Sequence, residues 1–167
     1  MNLVTGVADA YMDSVPMLAV TGQVATGVIA TDAFQESDVV GVMMPISKQT
    51  YMPLSIDEIE ATIHEAMFVA AAGRGGPVVV DIPKDVQNDS VSPTYRFNVK
   101  GYRPVLPGYL YHPAPDRDPL DRAIKMINKS VRPLIFCGHW VINSNAGKLL
   151  QQFAEKVNIP IAFTMHG

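Results

Sequence analysis

The sequence predicts an α/β protein in which a parallel sheet is flanked by helices, and three observations support this class. The run Pro77–Pro83 (PVVVDIP) is apolar and β-branched without alternation, as expected of a strand that is covered on both faces. The segment before it, Ser55–Ala72, carries apolar residues at helical spacing. The same order of helix and strand returns in residues 119–167, which indicates a second α/β unit.

The chain opens with another pair of elements. Apolar residues recur at helical spacing over residues 2–13, and Pro16 ends that pattern. Met17–Val20 is a short apolar run before a glycine loop, which predicts a buried strand. Residues 38–47 are ambiguous, and we divide them between a short helix and a second strand near Met44–Ser47.

The helix over Ser55–Ala72 has the clearest boundaries. Ser55 and Glu58 form a capping box, in which the serine accepts from the N–H of Glu58 and the glutamate reaches back to the N–H of the serine. Gly73 supplies the C-terminal stop. The predicted buried stripe of this helix consists of Ile59, Ile63, Met67 and Ala70.

A proline- and tyrosine-rich stretch, residues 92–118, divides the chain. It is longer than the roughly 12–15 residues at which an unstructured loop becomes uncommon within a compact domain, so we interpret it as an interdomain linker. Residues 1–91 are then the first domain, and residues 119–167 begin a second, Rossmann-like α/β domain. The elements predicted for the second unit are helices at 120–128 and 146–157 and strands at 134–137 and 159–163.

Composition excludes several functional classes. The chain is 48% hydrophobic and 17% charged, which is typical of a folded protein, and its net charge of -3 with scattered basic residues argues against nucleic-acid binding. Cys137 is the single cysteine, and no metal-binding spacing of Cys or His is present. No run reaches the roughly 18 apolar residues of a membrane span. These features predict a cytoplasmic protein, and an organellar location stays open as an alternative.

Two loops follow strand ends in the way that ligand-binding loops of parallel sheets do. They are Gly22–Gln35, after the first strand, and Lys84-Asp85, after the PVVVDIP strand. If these strands are parallel, Phe34, Gln35 and Lys84 gather at one edge, where an aromatic face, an amide and a cation suit a flat heterocycle and an anionic substrate. The alternative, in which Phe34 is a core residue and the polar side chains are solvated, stays open on the residues alone.

Two further positions give weaker signals. Gly138, in Gly138-His139-Trp140, follows a predicted strand and offers one of the glycines that a dinucleotide-binding turn uses. Arg74 lies among glycines that allow a planar ligand to approach, although a cation near a helix C-terminus is equally well explained by the helix dipole.

Three stretches carry a resemblance to a known family: NLVTGVADAYMDSVPMLAVTGQV, TDAFQESDVVG and GRGGPVVVDIPKDV. In this order and spacing they are similar to the large catalytic subunit of acetolactate synthase (acetohydroxyacid synthase), over residues 2–86 and more loosely over residues 133–167. The resemblance implies a thiamine-diphosphate-dependent flavoprotein with pyrimidine-binding, FAD-binding and pyrophosphate-binding domains. Against that plan the chain is an internal fragment that lacks the N-terminal part of the first domain and most of the second.

The implied activity is that of a transferase in valine, leucine and isoleucine biosynthesis. The whole enzyme decarboxylates pyruvate on thiamine diphosphate and condenses the hydroxyethyl unit with a second 2-keto acid. The resemblance places the activating glutamate upstream of Met1 and the Mg²⁺ motif beyond Gly167, so we expect no catalytic residue and no turnover on this chain alone. It also implies a homodimer or tetramer with active sites between subunits, and a regulatory small subunit as a candidate partner.

The resemblance assigns roles to individual residues near thiamine diphosphate and its substrate. Gln35 matches a glutamine near the cofactor, and Phe34 lines the same pocket. Lys84 and, less directly, Lys48 match the substrate and inhibitor channel. Ala25 stands where many members have proline in the loop that lines this channel, which implies weak sulfonylurea binding.

The FAD assignments are less direct. Arg74 matches an arginine that contacts FAD, with Ser14 and Gly138 as further FAD neighbours. Gly75 replaces a frequent proline and a glycine triplet is missing at Gly138, which leaves FAD retention open. Because Arg74 precedes its strand, it is predicted at the opposite sheet edge from Lys84.

Two other functions fit the residues. One is a different thiamine-diphosphate enzyme on the same scaffold, such as a glyoxylate carboligase or a sulfoacetaldehyde acetyltransferase. The other is a non-catalytic fragment that serves in assembly. A product assay with pyruvate alone distinguishes the first of these from an acetolactate synthase.

Overall fold

The structure, a computed structural model, describes residues 1–90, 106 and 116–165. The chain divides into two compact units, Met1–Pro113 and Ala114–Gly167, and each is described by itself. Most of the predicted linker, residues 92–118, lies outside the described residues.

The described part of the first unit is a three-stranded parallel sheet between helices. Its strands, β1, β2 and β3, have the order β1-β3-β2, with Met17 opposite Pro77 and Gln49 opposite Val78. The predicted α/β class with a parallel sheet is therefore confirmed. The elements are α1 (Val4–Met12), β1 (Met17–Gln23), α2 (Val39–Met43), β2 (Gln49–Tyr51), α3 (Ile56–Ala71), β3 (Pro77–Pro83) and α4 (Lys84–Asn88).

β3 is buried on both faces, as its sequence predicts. Alternate residues of a strand point to opposite faces of the sheet, so Val79 packs toward α1 and α2 while Val78 and Val80 pack toward α3. The first cluster contains Val7, Ala19, Val39, Met43 and Val79, and the second contains Ala66, Val69, Ala70, Val78 and Val80.

The predicted cap of α3 has the right position but the wrong partners. Ser55 accepts from the N–H of Asp57 at 3.3 Å, while the Glu58 carboxylate accepts from the N–H of Leu54 at 2.9 Å. Glu58 therefore reaches one residue beyond the serine, so the reciprocal pair of a capping box does not form.

The predicted stripe on α3 is also partly wrong. Met67 is 58% exposed, and the residues of this helix that are buried are Ala66, Val69 and Ala70. The two alanines have short side chains, so this face approaches the sheet closely, which rotates Met67 toward solvent. The predicted stop is confirmed, because Gly73 follows the helix with a φ of 57°.

The predicted strand near Met44–Ser47 is wrong. Met44–Ile46 forms a 3₁₀ turn, and β2 begins later, at Gln49. Pro45 has no N–H to donate to a sheet ladder, which accounts for the displacement. The short helix predicted before it is α2, where the Asp38 side chain accepts from the N–H of Gly41 at 2.8 Å.

In the described part of the second unit, a two-stranded parallel sheet and two of the three helices, α5 and α7, match the predicted elements. α5 begins before the predicted residue 120, because Asp116 caps it by accepting from the N–H of Asp118 at 3.1 Å. The short helix α6 was not predicted. The elements are α5 (Arg117–Lys129), β4 (Ile135–Cys137), α6 (Trp140–Asn143), α7 (Gly147–Val157) and β5 (Ile161–Phe163). Within the described residues, every helix is too short or too polar to span a bilayer.

Candidate functional site

The loop after β1 is tied to the start of α4 at the carboxyl edge of the sheet. The N–H of Thr26 donates to the two carboxylate oxygens of Asp85 at 3.0 and 3.2 Å, and the Thr26 hydroxyl donates to the same group. These bonds hold the pKa of Asp85 below its usual value. The tether brings Ala25, in the loop, to the same edge as Lys84, an exposed residue that begins α4.

Phe34 and Gln35 lie further along the same loop, and both are exposed. Phe34 is 89% exposed, so the alternative in which it is a core residue is wrong. Gln35 has a φ of 66°, a left-handed conformation that non-glycine residues adopt rarely. The two side chains are therefore displayed outward from a turn with an unusual backbone.

Three residues of this loop are left-handed, which concentrates strain there. Ala30, Asp32 and Gln35 have φ values of 65°, 56° and 66°. Each such residue is disfavoured by about 1–2 kcal/mol, with aspartate tolerating the conformation best. Strain of this kind persists where surrounding contacts enforce it, and it often marks a ligand-binding segment.

Glu36 supplies the contacts that enforce the loop. Its carboxylate accepts from the backbone N–H of Ala30 and from that of Ala33, the second at 2.9 Å. The N–H of Glu36 donates back to the carbonyl of Ala33 at 2.9 Å. The bonds to Ala30 and Ala33 hold the pKa of Glu36 below its usual value. Sequence reasoning missed Glu36, whose one signal is an acid that directly follows Phe34 and Gln35 at the end of a loop rich in small residues.

A buried network anchors the far end of the loop. Asp81 is fully buried and accepts from the Thr21 hydroxyl at 2.6 Å and from the Gln23 amide at 2.9 Å. The same amide donates to the carbonyl of Ser37 at 2.8 Å. Gln23 therefore joins the central strand to the residue that follows Glu36. A cavity of about 320 Å³ behind the loop is lined by Gln23, Ile29, Ala30, Glu36, Ser37, Asp38, Val40 and Met52.

Arg74 and Ser14 meet at the opposite, amino edge of the sheet. The Arg74 Nε donates to the Ser14 hydroxyl at 2.7 Å, and one Nη donates to the carbonyl of Met12 at 3.4 Å. Ser14 is 9% exposed and left-handed, with a φ of 59°. Gly75 packs so closely that a Cβ there lies 2.7 Å from the Ser14 carbonyl oxygen. Arg74 thus lies at the other end of β3 from Lys84, as expected.

Lys48 belongs to this amino edge and not to the edge that carries Lys84. Its N–H donates to the carbonyl of Pro77 at 2.8 Å, and its ammonium donates to the carbonyls of Val69 and, at 2.6 Å, Ala72. Burial lowers the pKa of Lys48. At about 3.3 Å per residue, β3 separates Lys48 from Lys84 by roughly 20 Å, so the structure does not bring Lys48 together with the predicted channel residues. A cavity of about 210 Å³ is lined by Tyr11, Lys48, Arg74 and Gly75.

Gly138 lies in the second unit, between β4 and α6. A Cβ at this position comes no closer than 3.9 Å to the Thr164 hydroxyl, which is an ordinary contact. The packing of this unit therefore does not itself require glycine there. The residues that the structure describes contain no cluster of three or more His, Cys, Asp or Glu side chains arranged to hold a metal ion.

The sequence was compared with family models and with known proteins, and both comparisons find matches. The profile described as "Thiamine pyrophosphate enzyme, central domain" matches residues 120–167. The acetolactate synthase large subunit of Corynebacterium glutamicum is 43% identical over 167 residues, which is 98% of this chain and 25% of the relative. Residues 120–167 thus match the thiamine pyrophosphate enzyme family, and nearly the whole chain is similar to an acetolactate synthase large subunit.

Other relatives carry similar names. "Acetolactate synthase, chloroplastic" of Arabidopsis thaliana is 40% identical over 99% of the chain, and the large subunit of Buchnera aphidicola subsp. Acyrthosiphon pisum is 35% identical over 99%. The resemblance seen in the three sequence stretches is thus confirmed. The chain spans about a quarter of the length of these relatives, 24% to 28%.

Proposed function

We propose that these residues belong to the large catalytic subunit of an acetolactate synthase, an enzyme that as a whole decarboxylates pyruvate and joins the two-carbon unit to a second 2-keto acid. The observation that carries the proposal is the pairing of a strained loop, which displays Phe34 and Gln35, with Lys84 at one carboxyl edge. The names of relatives that match nearly all of the chain support the same reading.

The residues at this edge fit thiamine diphosphate. The phenyl ring of Phe34 offers an apolar face for a heterocycle, and the amide of Gln35 offers both a donor and an acceptor. When bound, thiamine diphosphate supplies the nucleophilic carbon that attacks a 2-keto acid and accepts the electrons released by decarboxylation. Glu36 and the buried Gln23 network fix the loop, so the two side chains are oriented before any ligand binds.

Lys84 is proposed to bind the carboxylate of the 2-keto acid. Its ammonium is exposed, while its backbone is fixed because the next residue, Asp85, is held by Thr26. The short side chain of Ala25 leaves room beside it for substrate or inhibitor. The structure gives no support for Lys48 in this channel, because its ammonium lies at the end of α3. Ligands for Mg²⁺ are proposed to lie outside the described residues, where the resemblance places them.

The amino edge is proposed to contribute to FAD binding. Arg74 is exposed, and its bond to Ser14 holds the guanidinium plane beside a cavity of about 210 Å³. A guanidinium in a fixed orientation suits the phosphate or ring edge of a dinucleotide. The assignment of Gly138 to the FAD site rests on the resemblance alone.

The proposal includes assembly and location. An exposed phenylalanine beside the cofactor is suited to an active site that a second copy of the chain covers, so we propose a homodimer or a tetramer. A regulatory small subunit is a further proposed partner. Because the single cysteine fits a reducing compartment, we propose a cytoplasmic location.

An assay on the whole protein, meaning the product of the complete reading frame that contains these residues, tests the function. With pyruvate as the only substrate, acetolactate formation is expected, and it should depend on thiamine diphosphate. The variant Lys84→Met is expected to raise the pyruvate concentration for half-saturation at least tenfold, because one charge-assisted contact is lost. The matched control is Lys148→Met, an exposed lysine on α7.

The same assay separates the alternatives. Product from glyoxylate or sulfoacetaldehyde, with none from pyruvate, identifies a different thiamine-diphosphate enzyme on the same scaffold. A folded whole protein that forms no product from pyruvate, other 2-keto acids or sulfoacetaldehyde contradicts the enzymatic proposal and leaves the assembly role.

A further inference from the structure

We propose that Glu36 is a positioning residue for the cofactor-facing loop, because its carboxylate holds the turn that presents Phe34 and Gln35. The inference rests on the proposed function, since it takes these two side chains as the ones that meet thiamine diphosphate. It extends that function to a side chain that points into the loop and touches backbone, not cofactor.

The hydrogen bonds of Glu36 close the loop on itself. The carboxylate accepts from the N–H of Ala30 and from that of Ala33, so one side chain spans the turn. The N–H of Glu36 donates to the Ala33 carbonyl at 2.9 Å. Phe34 and Gln35 are the two residues enclosed between Ala33 and Glu36. Any movement of Glu36 therefore moves both of them.

The sheet holds Glu36 from the other side. The carbonyl of the next residue, Ser37, accepts from the Gln23 amide at 2.8 Å, and that amide also donates to the fully buried Asp81. Asp81 of β3 thus fixes the backbone at Ser37 through Gln23.

The Glu36 carboxylate in turn holds the N–H groups of Ala30 and Ala33. Backbone hydrogen bonds close the turns around the left-handed Ala30 and Gln35, from the N–H of Thr31 to Val28 and from the N–H of Glu36 to Ala33, and the Glu36 carboxylate ties these two turns to each other. Without the carboxylate, each turn is expected to keep its own backbone bond while the two turns move relative to each other.

The first experiment measures the loop directly and does not depend on activity. Amide hydrogen exchange in the 167-residue chain, followed by NMR, reports on the N–H groups of Ala30 and Ala33. In Glu36→Ala both amides are expected to exchange at least tenfold faster, because each loses a charged acceptor. The amide of Thr31, which donates to the Val28 carbonyl at 3.3 Å, serves as an internal control that changes less.

Two conservative variants sharpen this measurement. Glu36→Gln keeps one acceptor oxygen and turns a donor toward the second N–H, so one amide is expected to retain its protection and the other to lose it. Glu36→Asp is one methylene shorter and is expected to release at least one amide. Glu155→Gln alters an exposed glutamate of α7 and is expected to change neither amide.

The second experiment measures cofactor binding in the whole protein. Glu36→Ala is expected to raise the thiamine diphosphate concentration for half-maximal activity about tenfold. The pyruvate concentration for half-saturation, measured with the cofactor saturating, is expected to stay within twofold. Glu36→Gln is expected to lie between the wild type and Glu36→Ala, since one of its two bonds survives.

The outcomes separate the inference from the function on which it rests. Unchanged exchange of the Ala30 and Ala33 amides in Glu36→Ala overturns the inference, whatever the activity. If Gln35→Ala weakens cofactor binding and Glu36→Ala does not, the function stands and the positioning role fails. If neither variant changes cofactor binding, the assignment of this loop to the cofactor fails instead.

Discussion

Replacing Lys48 by methionine tests whether this lysine stabilises a helix end or serves the substrate. Its ammonium donates to the carbonyls of Val69 and Ala72, which are among the last acceptors of α3. These carbonyls have no partner within the helix, and the negative end of the helix dipole lies there. Methionine keeps the apolar stem of lysine and removes only the charge and the donors, so Lys48→Met isolates this contact.

The expected loss of stability follows from these contacts. A hydrogen bond from a charged donor contributes about 1.5–3 kcal/mol, and a cation at a helix C-terminus adds about 0.3–1 kcal/mol. Because Lys48 is only half-buried, solvent screening and side-chain ordering reduce the sum to about 2 kcal/mol. With a urea slope of about 2 kcal/mol per molar, the midpoint of unfolding is expected to fall by about 1 M.

Urea unfolding followed by circular dichroism measures this change, and Lys84→Met is the matched control. Lys84 is exposed at the start of α4, so its replacement is expected to change the free energy of unfolding by less than about 0.5 kcal/mol. In the whole protein the pattern reverses, and only Lys84→Met should raise the half-saturation for pyruvate. The reasoning is refuted if Lys48→Met leaves stability unchanged, or if it raises the pyruvate requirement as much as Lys84→Met does.

Three more predictions concern the two sheet edges. Gly75→Ala is expected to lower the free energy of unfolding by about 1–3 kcal/mol, because the added Cβ would lie 2.7 Å from a backbone oxygen. A Cβ at Gly27 would meet nothing within 4 Å, so equal urea midpoints for Gly75→Ala and Gly27→Ala contradict this. Since the pKa of Asp85 is lowered in the folded chain, its tether to Thr26 should persist above the unfolded pKa of about 3.9 and be lost as the pH falls through the folded value. An NMR titration of the Thr26 amide checks this, and a transition above pH 5 argues against it. Ala25→Pro is expected to keep or raise stability by up to about 1 kcal/mol, because residue 25 already has a φ of -59°; a clear loss in the thermal midpoint shows that the site does not accept proline.

The sheet and its main helix were predictable because their signals are local. The run of β3 can form only a strand that is buried on both faces, and Ser55 and Gly73 mark the ends of α3. The sequence also predicted that the loop after β1 lies at the same sheet edge as Lys84, since this requires only that β1 and β3 be parallel neighbours. These inferences use pattern and topology, which a sequence contains.

The remaining features depend on contacts that a sequence does not display. The role of Glu36 requires a loop in which Ala30 and Gln35 are left-handed, and neither alanine nor glutamine in a sequence predicts that conformation. The resemblance suggested Lys48 as a channel residue, whereas its contact with the end of α3 arises only when β2 pairs with β3, which the sequence does not display. The buried face of α3 shifted because Ala66 permits a close approach that periodicity alone cannot reveal.

The strand order has a consequence for the synthesis of this protein. β1 and β2 lie on either side of β3 and do not pair with each other, although both precede β3 in the chain. Among the described residues, a nascent chain that ends before Pro77 therefore has no partner for β1 or β2, and both strands are left unpaired. The ribosome has to release residues 77–83 before these three strands can pair, so a chain stopped at Gly76 is expected to be a better target for chaperones and proteases than one that extends past Pro83.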